Sequence, residues 1–261
     1  MSDTAETVAT LIEFSVRGLA EGKEVAVAFS GGLDSGLVGA VSSRFAESVR
    51  LYVAGVPGCH DIDAAESAAA ELGLELTVLE IDDPVGLIRE EIKLTGMENP
   101  LVLAFSAPLF AVLRGCREDI VLGGQGADEV FGGYNKYVSV PNEELKSRMK
   151  EDLDRFWSQS CPHEEKMASA FGKTIGRPYL TEDVVSFMDS LPADVIRPDR
   201  SDRKKVLCDV AEYMGFDFLA HRPKKAAQYG SGILDAVKET CHQRGIEYNQ
   251  LVAEMVRELQ E

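Results

Sequence analysis

Five consecutive apolar residues, Val25-Ala26-Val27-Ala28-Phe29, run straight into Ser30-Gly31-Gly32-Leu33-Asp34-Ser35, and Leu37 to Phe45 then resumes at helical spacing. A short continuous apolar run bounded by small residues is the pattern of a strand buried on both faces, so the three segments predict strand, tight loop and helix. In an open parallel sheet ligands collect beyond the carboxyl ends of the strands. A loop that leads into a helix offers an anion its N–H groups and the positive end of the helix dipole. Gly31 and Gly32 let the main chain approach a phosphate closely, while Ser30 and Ser35 add hydroxyl donors. Asp34 beside phosphate would repel it unless a cation lay between, which makes it a candidate ligand to Mg²⁺ bridging the phosphates. A glycine turn with a helix-capping Asp or Ser is the competing reading. No Gly-Lys-Ser/Thr follows at the required spacing, so the loop is not of the Walker type.

The same alternation continues along the chain. Residues 4 to 20 carry apolar positions at helical spacing closed by Gly22, Leu51 to Gly55 reads as strand, Ala64 to Leu72 as helix, and Leu74 to Ile81 as strand. Helical stretches follow near 85 to 94 and 101 to 115, then a strand at Ile120-Val121-Leu122. Strands alternating with helices imply right-handed crossovers and a parallel twisted sheet flanked by helices. Beyond Pro141 no strand pattern stands out, and Glu143 to Phe156, Glu182 to Ser190, Arg203 to Met214 and Tyr248 to Leu259 read as helices. The expected division therefore falls near 140: residues 1–140 form a nucleotide-binding α/β domain, and 141–261 a mainly helical part that completes the site.

With 261 residues, 45% of them apolar and 27% charged, the chain can bury a substantial core. Its 44 acidic and 27 basic side chains give a net charge of -17, which disfavours broad binding to nucleic-acid phosphates. Basic residues nevertheless concentrate at Arg197, Arg200, Arg203, Lys204, Lys205, Arg222, Lys224 and Lys225, an asymmetry that suggests an anion site. Nucleotide phosphates account for it, and an RNA substrate stays open as the alternative. No leader and no apolar run near the ~20 residues of a membrane span is seen, so a cytoplasmic protein without a membrane partner is expected. Cys59, Cys116, Cys161, Cys208 and Cys241 form no Cys-x-x-Cys pair, and the four histidines show no ligand spacing.

Ser-Gly-Gly-Leu-Asp-Ser resembles the pyrophosphatase loop of enzymes that cleave ATP between the α and β phosphates. Downstream, Ile120 to Tyr134, with Gly123-Gly124-Gln125-Gly126-Ala127-Asp128-Glu129 at its centre, resembles the second signature of the asparagine synthetase and β-lactam synthetase branch. Asp61-Ile62-Asp63-Ala64-Ala65 with Glu71-Leu72-Gly73, and Arg222-Pro223-Lys224 with Gly230-Ser231-Gly232, resemble further segments of that branch. The fold this implies is the adenine nucleotide alpha-hydrolase-like α/β sandwich with a helical C-terminal extension.

By resemblance, Ser30, Gly31, Gly32 and Ser35 hold the pyrophosphate of ATP, main chain near Ala28, Val53 and Ala54 holds the adenine, and Gly124 is a further nucleotide-binding residue. Asp34 and Asp128 share Mg²⁺, two carboxylates from two strand ends facing one hard cation. Lys224, with Lys225 as rival, neutralises charge as pyrophosphate leaves. The implied activity is an ATP-dependent ligase that adenylates a carboxylate for attack by ammonia or an amine. A tRNA- or nucleobase-modifying pyrophosphatase and a non-catalytic nucleotide-binding subunit are the alternatives.

Three departures from the branch shape this expectation. The glutaminase domain that opens asparagine synthetases does not precede this region, so free ammonia, a separate glutaminase or partner subunit, or a substrate amine is the expected nitrogen source. Gln125 stands at a catalytic position where asparagine synthetases have glutamate and β-lactam synthetases have tyrosine, and an amide cannot act as a general base. In Gly172 to Leu180, Thr174 and Gly176 replace a glutamate and an arginine of the branch, in a stretch expected near the acceptor substrate.

Overall fold

The computed structural model describes residues 3–199, 203–222 and 230–260. Helix α1 (Asp3–Ala20) precedes β1 (Glu24–Ala28), α2 (Leu33–Ser42), β2 (Ser48–Gly55), α3 (His60–Leu72) and β3 (Glu75–Glu80). Two helices, α4 (Pro84–Thr95) and α5 (Pro100–Gly115), lead to β4 (Ile120–Leu122) and the single turn α6 (Ala127–Val130). Then come α7 (Asn142–Arg155), α8 (Cys161–Ala170), β5 (Thr174–Gly176), α9 (Glu182–Ser190), α10 (Ala193–Ile196), α11 (Lys205–Tyr213) and α12 (Asp217–Ala220). Helices α13 (Ile233–Arg244) and α14 (Tyr248–Gln260) close the described chain.

The five strands form one sheet in the order β3-β2-β1-β4-β5, and every neighbouring pair is parallel. Alternate residues of each strand face opposite layers, as the period of two requires. Val25, Val27, Leu51, Val53 and Leu122 join the core under α1, α2, α3 and α11. Ala26, Tyr52, Ala54 and Val121 join the core under α4, α5, α8, α13 and α14. The expected architecture, a parallel sheet with helices on both faces and a helical C-terminal part, is observed.

Several features differ from the expectation, among them α13, which no periodicity marked. β5 adds a strand from beyond residue 140, with Ile175 beside Val121 and Gly176 beside Leu122. α8 was not anticipated either, because its buried positions include His163 and Glu164 rather than an apolar stripe. His163 Nε2 lies 2.7 Å from Glu91 Oε1 and 3.2 Å from Ser106 Oγ, a polar cluster that joins α8 to α4 and α5. Burial holds the Glu91 carboxyl above its ordinary range. Among the described residues no single helix is long and apolar enough to cross a membrane.

The chain runs β1, β2, β3 toward one edge and then crosses to β4 on the other side of β1. This strand order places a switch point between β1 and β4, where a crevice opens beyond the strand ends. The loops that follow these two strands are Ser30–Ser35 and Gly123–Glu129.

Candidate active site

The first loop is closed on itself. Ser30 N donates to Ser35 Oγ at 3.2 Å, and the two hydroxyls stand 3.4 Å apart. Gly32 caps α2, so Asp34 and Ser35 lie in the first helical turn. Gly31 has φ +72, and a Cβ there would stand 2.6 Å from Ala65 N and overlap the Ala64 carbonyl. Its side is therefore occupied by the backbone of α3, a packing reason that adds to the phosphate approach expected of it. Gly32 has no such neighbour, with Ser30 Oγ the nearest atom at 3.6 Å.

The second loop presses on the first. A Cβ on Gly124 would lie 2.8 Å from Asp34 Cβ and 3.1 Å from Ser35 N, so only glycine lets the two loops touch. Gly126, at φ +85, turns the chain into α6, which carries Asp128 and Glu129. From the opposite side Tyr179 Oη donates to the main-chain carbonyl of Asp34 at 2.8 Å. Burial keeps that phenol protonated.

Between the two candidate metal ligands sits a lysine that the sequence marks only as one member of its basic cluster. Lys204 Nζ pairs with Asp34 Oδ2, and with Asp128 Oδ1 at 3.0 Å, while its side chain is only 2% exposed. Its backbone is left-handed, φ 60 and ψ 39, as the residue that caps α11. A non-glycine residue in that region costs about 1–3 kcal/mol and persists where surrounding contacts hold it. The pairs to Asp34 and Asp128 are such contacts. Gly133 completes the cradle, since a Cβ there would overlap both the Asp128 carboxylate and Lys204 Cε. Asp34 Oδ1 is buried and accepts no hydrogen bond among the described residues.

Glu129, named beside Asp128 in the motif, points elsewhere. It is buried and accepts a hydrogen bond from Tyr134 Oη at 2.6 Å. Burial, with Asp128 adding to it, raises its carboxyl above the ordinary range despite that bond. Gln125 is half-buried, with its Oε1 wholly enclosed and without a hydrogen-bond partner among the described residues. The amide folds back over Gly123, where a Cβ would overlap it.

A cleft of about 530 Å³ opens along the first loop, lined by Ser30 to Asp34, His60, Asp61, Ala64, Arg203, Lys204, Cys208, Asp209, Glu212, Ala220, His221 and Arg222. Ala28, Val53 and Ala54, expected at the adenine, are not among the residues that line it. β1 pairs with β2 only as far as Ala28 opposite Tyr52, so β2 runs on past it through Val53 and Ala54. Arg222 reaches across to α3, donating to Ala64 O and Ser67 Oγ at 3.1 Å each and pairing with Glu71 at 2.7 Å. Gly230 abuts the Asp61 carboxylate, where a Cβ would overlap it. Lys224 and Lys225, between these two anchors in sequence, lie outside the described residues, as does Arg200.

The structure thus brings together the Ser30–Ser35 loop, Gly124, Asp34 and Asp128, and adds Lys204 and Tyr179. It moves Thr174 away. That residue is exposed and opens β5 opposite Ile120, the end of the sheet remote from both loops, contrary to its expected place near the acceptor. Gly176 is required by packing, because a Cβ would overlap the side chain of Leu122 and lie 3.2 Å from Leu19 Cδ1. Among the described residues no three His, Cys, Asp or Glu side chains converge. A hard cation here would be held by two carboxylates and fill its other positions with phosphate oxygens and water, which is how Mg²⁺ is ordinarily bound.

Residues 7–151 match the family described as Asparagine synthase. The chain belongs to the asparagine synthase family. It is 30% identical over 257 residues to the "Putative asparagine synthetase (glutamine-hydrolyzing) 1" of Methanocaldococcus jannaschii, covering 83% of this chain and 47% of that one. It is 27% identical over 241 residues to asparagine synthetase B (glutamine-hydrolyzing) of Escherichia coli, covering 84% and 44%. The chain spans about half or less of the length of these curated relatives. Among solved structures, an NH3-dependent NAD synthetase of Campylobacter jejuni matches over 75% of this chain and 94% of its own, with 16% identity and a TM-score of 0.35. The segment matched by the family contains both loops, Asp34, Gln125 and Asp128, while Lys204 and Tyr179 fall after it.

Proposed function

We propose that this chain is an asparagine synthetase-like, ATP-dependent ligase that adenylates a small carboxylic acid, releases pyrophosphate, and presents the adenylate to ammonia or an amine. The observation that carries this reading is the pair of carboxylates, Asp34 and Asp128, gathered on one cationic group at the mouth of a glycine loop that caps a helix. Neither carboxylate serves an anionic ligand unless positive charge lies between, and Lys204 marks where such charge is accommodated.

In this reading the main chain of Ser30 to Ser35 and the N-terminus of α2 hold the departing phosphates, with Gly124 keeping the second loop against the first. The ends of β1 and β2 at Ala28, Val53 and Ala54 receive the adenine. Asp34 and Asp128 hold Mg²⁺, which when bound screens the phosphate charge and stabilises the leaving pyrophosphate. Lys224, on the segment between Arg222 and Gly230, adds positive charge as pyrophosphate departs.

Gln125 cannot take a proton, but its enclosed Oε1 is an acceptor awaiting a donor, and an amine or ammonia N–H supplies one. Burying an acceptor without a partner costs about 1–3 kcal/mol, which favours ligands that bring a donor. The nitrogen source is a separate glutaminase, a partner subunit or free ammonia, and the setting is the cytoplasm. The test is pyrophosphate release from Mg²⁺-ATP across a panel of acids with and without ammonium. Release dependent on one acid class supports the ligase, whereas release dependent on added RNA would favour the tRNA-modifying alternative.

A further inference from the structure

Building on the proposed Mg²⁺ role of Asp34 and Asp128, we infer that Lys204 is the resident cation of this carboxylate pair in the nucleotide-free protein, and that it bars free Mg²⁺ so that metal enters only with ATP. One ammonium bonds both carboxylates, it is almost fully enclosed, and Gly133 leaves no space beside it for a side chain.

Two carboxylates near enough to share an ammonium repel each other strongly when unneutralised, and enclosure magnifies the repulsion. Lys204 relieves it and sets their spacing before any ligand arrives. Among the described residues Lys204 is also the only non-glycine with positive φ. Its backbone is held in a region that a lysine does not choose, as expected where a contact rather than local preference fixes the residue.

A divalent ion approaching alone must displace that ammonium and shed tightly held water, and it brings the lysine no new anion in exchange. Mg²⁺-ATP arrives differently. Lys204 and the Ser30–Asp34 loop line the same cleft, so the incoming phosphates offer the ammonium new oxygen partners as the metal takes the carboxylates. The lysine thus exchanges Asp34 and Asp128 for phosphate oxygens in the step that loads the metal. Metal and nucleotide are thereby coupled, each improving the other's affinity.

The experiment measures Mn²⁺ binding, by the loss of the free-ion electron paramagnetic resonance signal, to wild type, Lys204→Arg, Lys204→Met and Lys204→Gln. Each is titrated without nucleotide and with α,β-methylene-ATP. Nucleotide-free wild type and Lys204→Arg should bind Mn²⁺ at least about tenfold more weakly than the nucleotide complex. Nucleotide-free Lys204→Met and Lys204→Gln should bind it at least about tenfold more tightly than nucleotide-free wild type, with Mn²⁺ also raising their melting temperatures.

The wild-type titration alone refutes the inference if nucleotide-free protein binds Mn²⁺ as tightly as the nucleotide complex, whether or not the variants fold. Neutral variants that fold and bind no more tightly than wild type also overturn it, while leaving the metal role of Asp34 and Asp128 intact. Absence of Mn²⁺ binding by wild type even with the nucleotide would instead remove the metal assignment itself, and this inference with it.

Discussion

Tyr179 donates its phenolic hydrogen to the backbone carbonyl of Asp34 at 2.8 Å, tying the segment after β5 to the first turn of α2. Asp34 is thus positioned through its main chain by a side chain 145 residues away, while its carboxylate meets Lys204. Tyr179→Phe keeps the ring packed edge-on against Phe131 and removes only the hydrogen bond. The variant should lose about 1 kcal/mol of stability, and ATP affinity should fall roughly fivefold as the loop loosens. Urea unfolding and calorimetry check both, and unchanged ATP affinity would show that the bond supports the fold alone.

The two loop glycines should behave differently. Gly31→Ala places a methyl group against the backbone of Ala64 at a positive φ, so a loss of at least about 2 kcal/mol and of ATP binding is expected. Gly32 has an ordinary φ of -83 and a Cβ there would make only an ordinary contact with Ser30 Oγ at 3.6 Å, so Gly32→Ala should change stability by less than about 0.5 kcal/mol. Comparable unfolding midpoints for the two variants would contradict the packing reason given to Gly31.

Glu129 predicts a pH effect on stability. Burial raises its folded carboxyl above the ordinary value of 4.5, so between the two values the folded state keeps a proton that the unfolded state has released. Stability from this group is therefore fully present below about pH 4.5 and is lost as pH rises through the folded value. Glu129→Gln cannot ionise and can still accept from Tyr134. Its stability relative to wild type should rise from pH 4 toward neutrality in urea midpoints, and a constant difference would contradict the burial effect.

Much of the nucleotide half was legible because its signals are local. A buried strand running into glycines and a helix, and Ile120-Val121-Leu122 before a second glycine loop, place both loops at strand ends. β5 was not legible, since Thr174-Ile175-Gly176 offers one apolar residue and owes its strand to pairing, with Thr174 N bonded to Asp119 O at 2.8 Å and Gly123 N to Gly176 O at 3.1 Å. Lys204 was hidden for a similar reason. It sits in the run Arg203-Lys204-Lys205, part of a basic cluster that suggests an anion site without marking any one member, and its partner Asp34 is 170 residues away. Only the folded chain distinguishes the enclosed lysine from its exposed neighbour Lys205.

Gln125 bears on the acceptor. Gln125→Glu supplies a titratable oxygen but no new donor for a second carboxylate, so the variant should not form asparagine from aspartate, ammonium and Mg²⁺-ATP. Amino-acid analysis of the reaction checks this. Robust asparagine formation by the wild type itself would mean that the amide at this position leaves the asparagine synthetase reaction intact.

Phosphorus NMR of Mg²⁺-ATP incubated with the protein, ammonium and a panel of carboxylic acids shows which phosphate bond is cleaved. AMP and pyrophosphate should form in equal amounts, dependent on one acid class and abolished by Asp34→Asn and by Asp128→Asn. Formation of ADP and phosphate, or AMP and pyrophosphate undiminished in both variants, would contradict the proposed ligase activity.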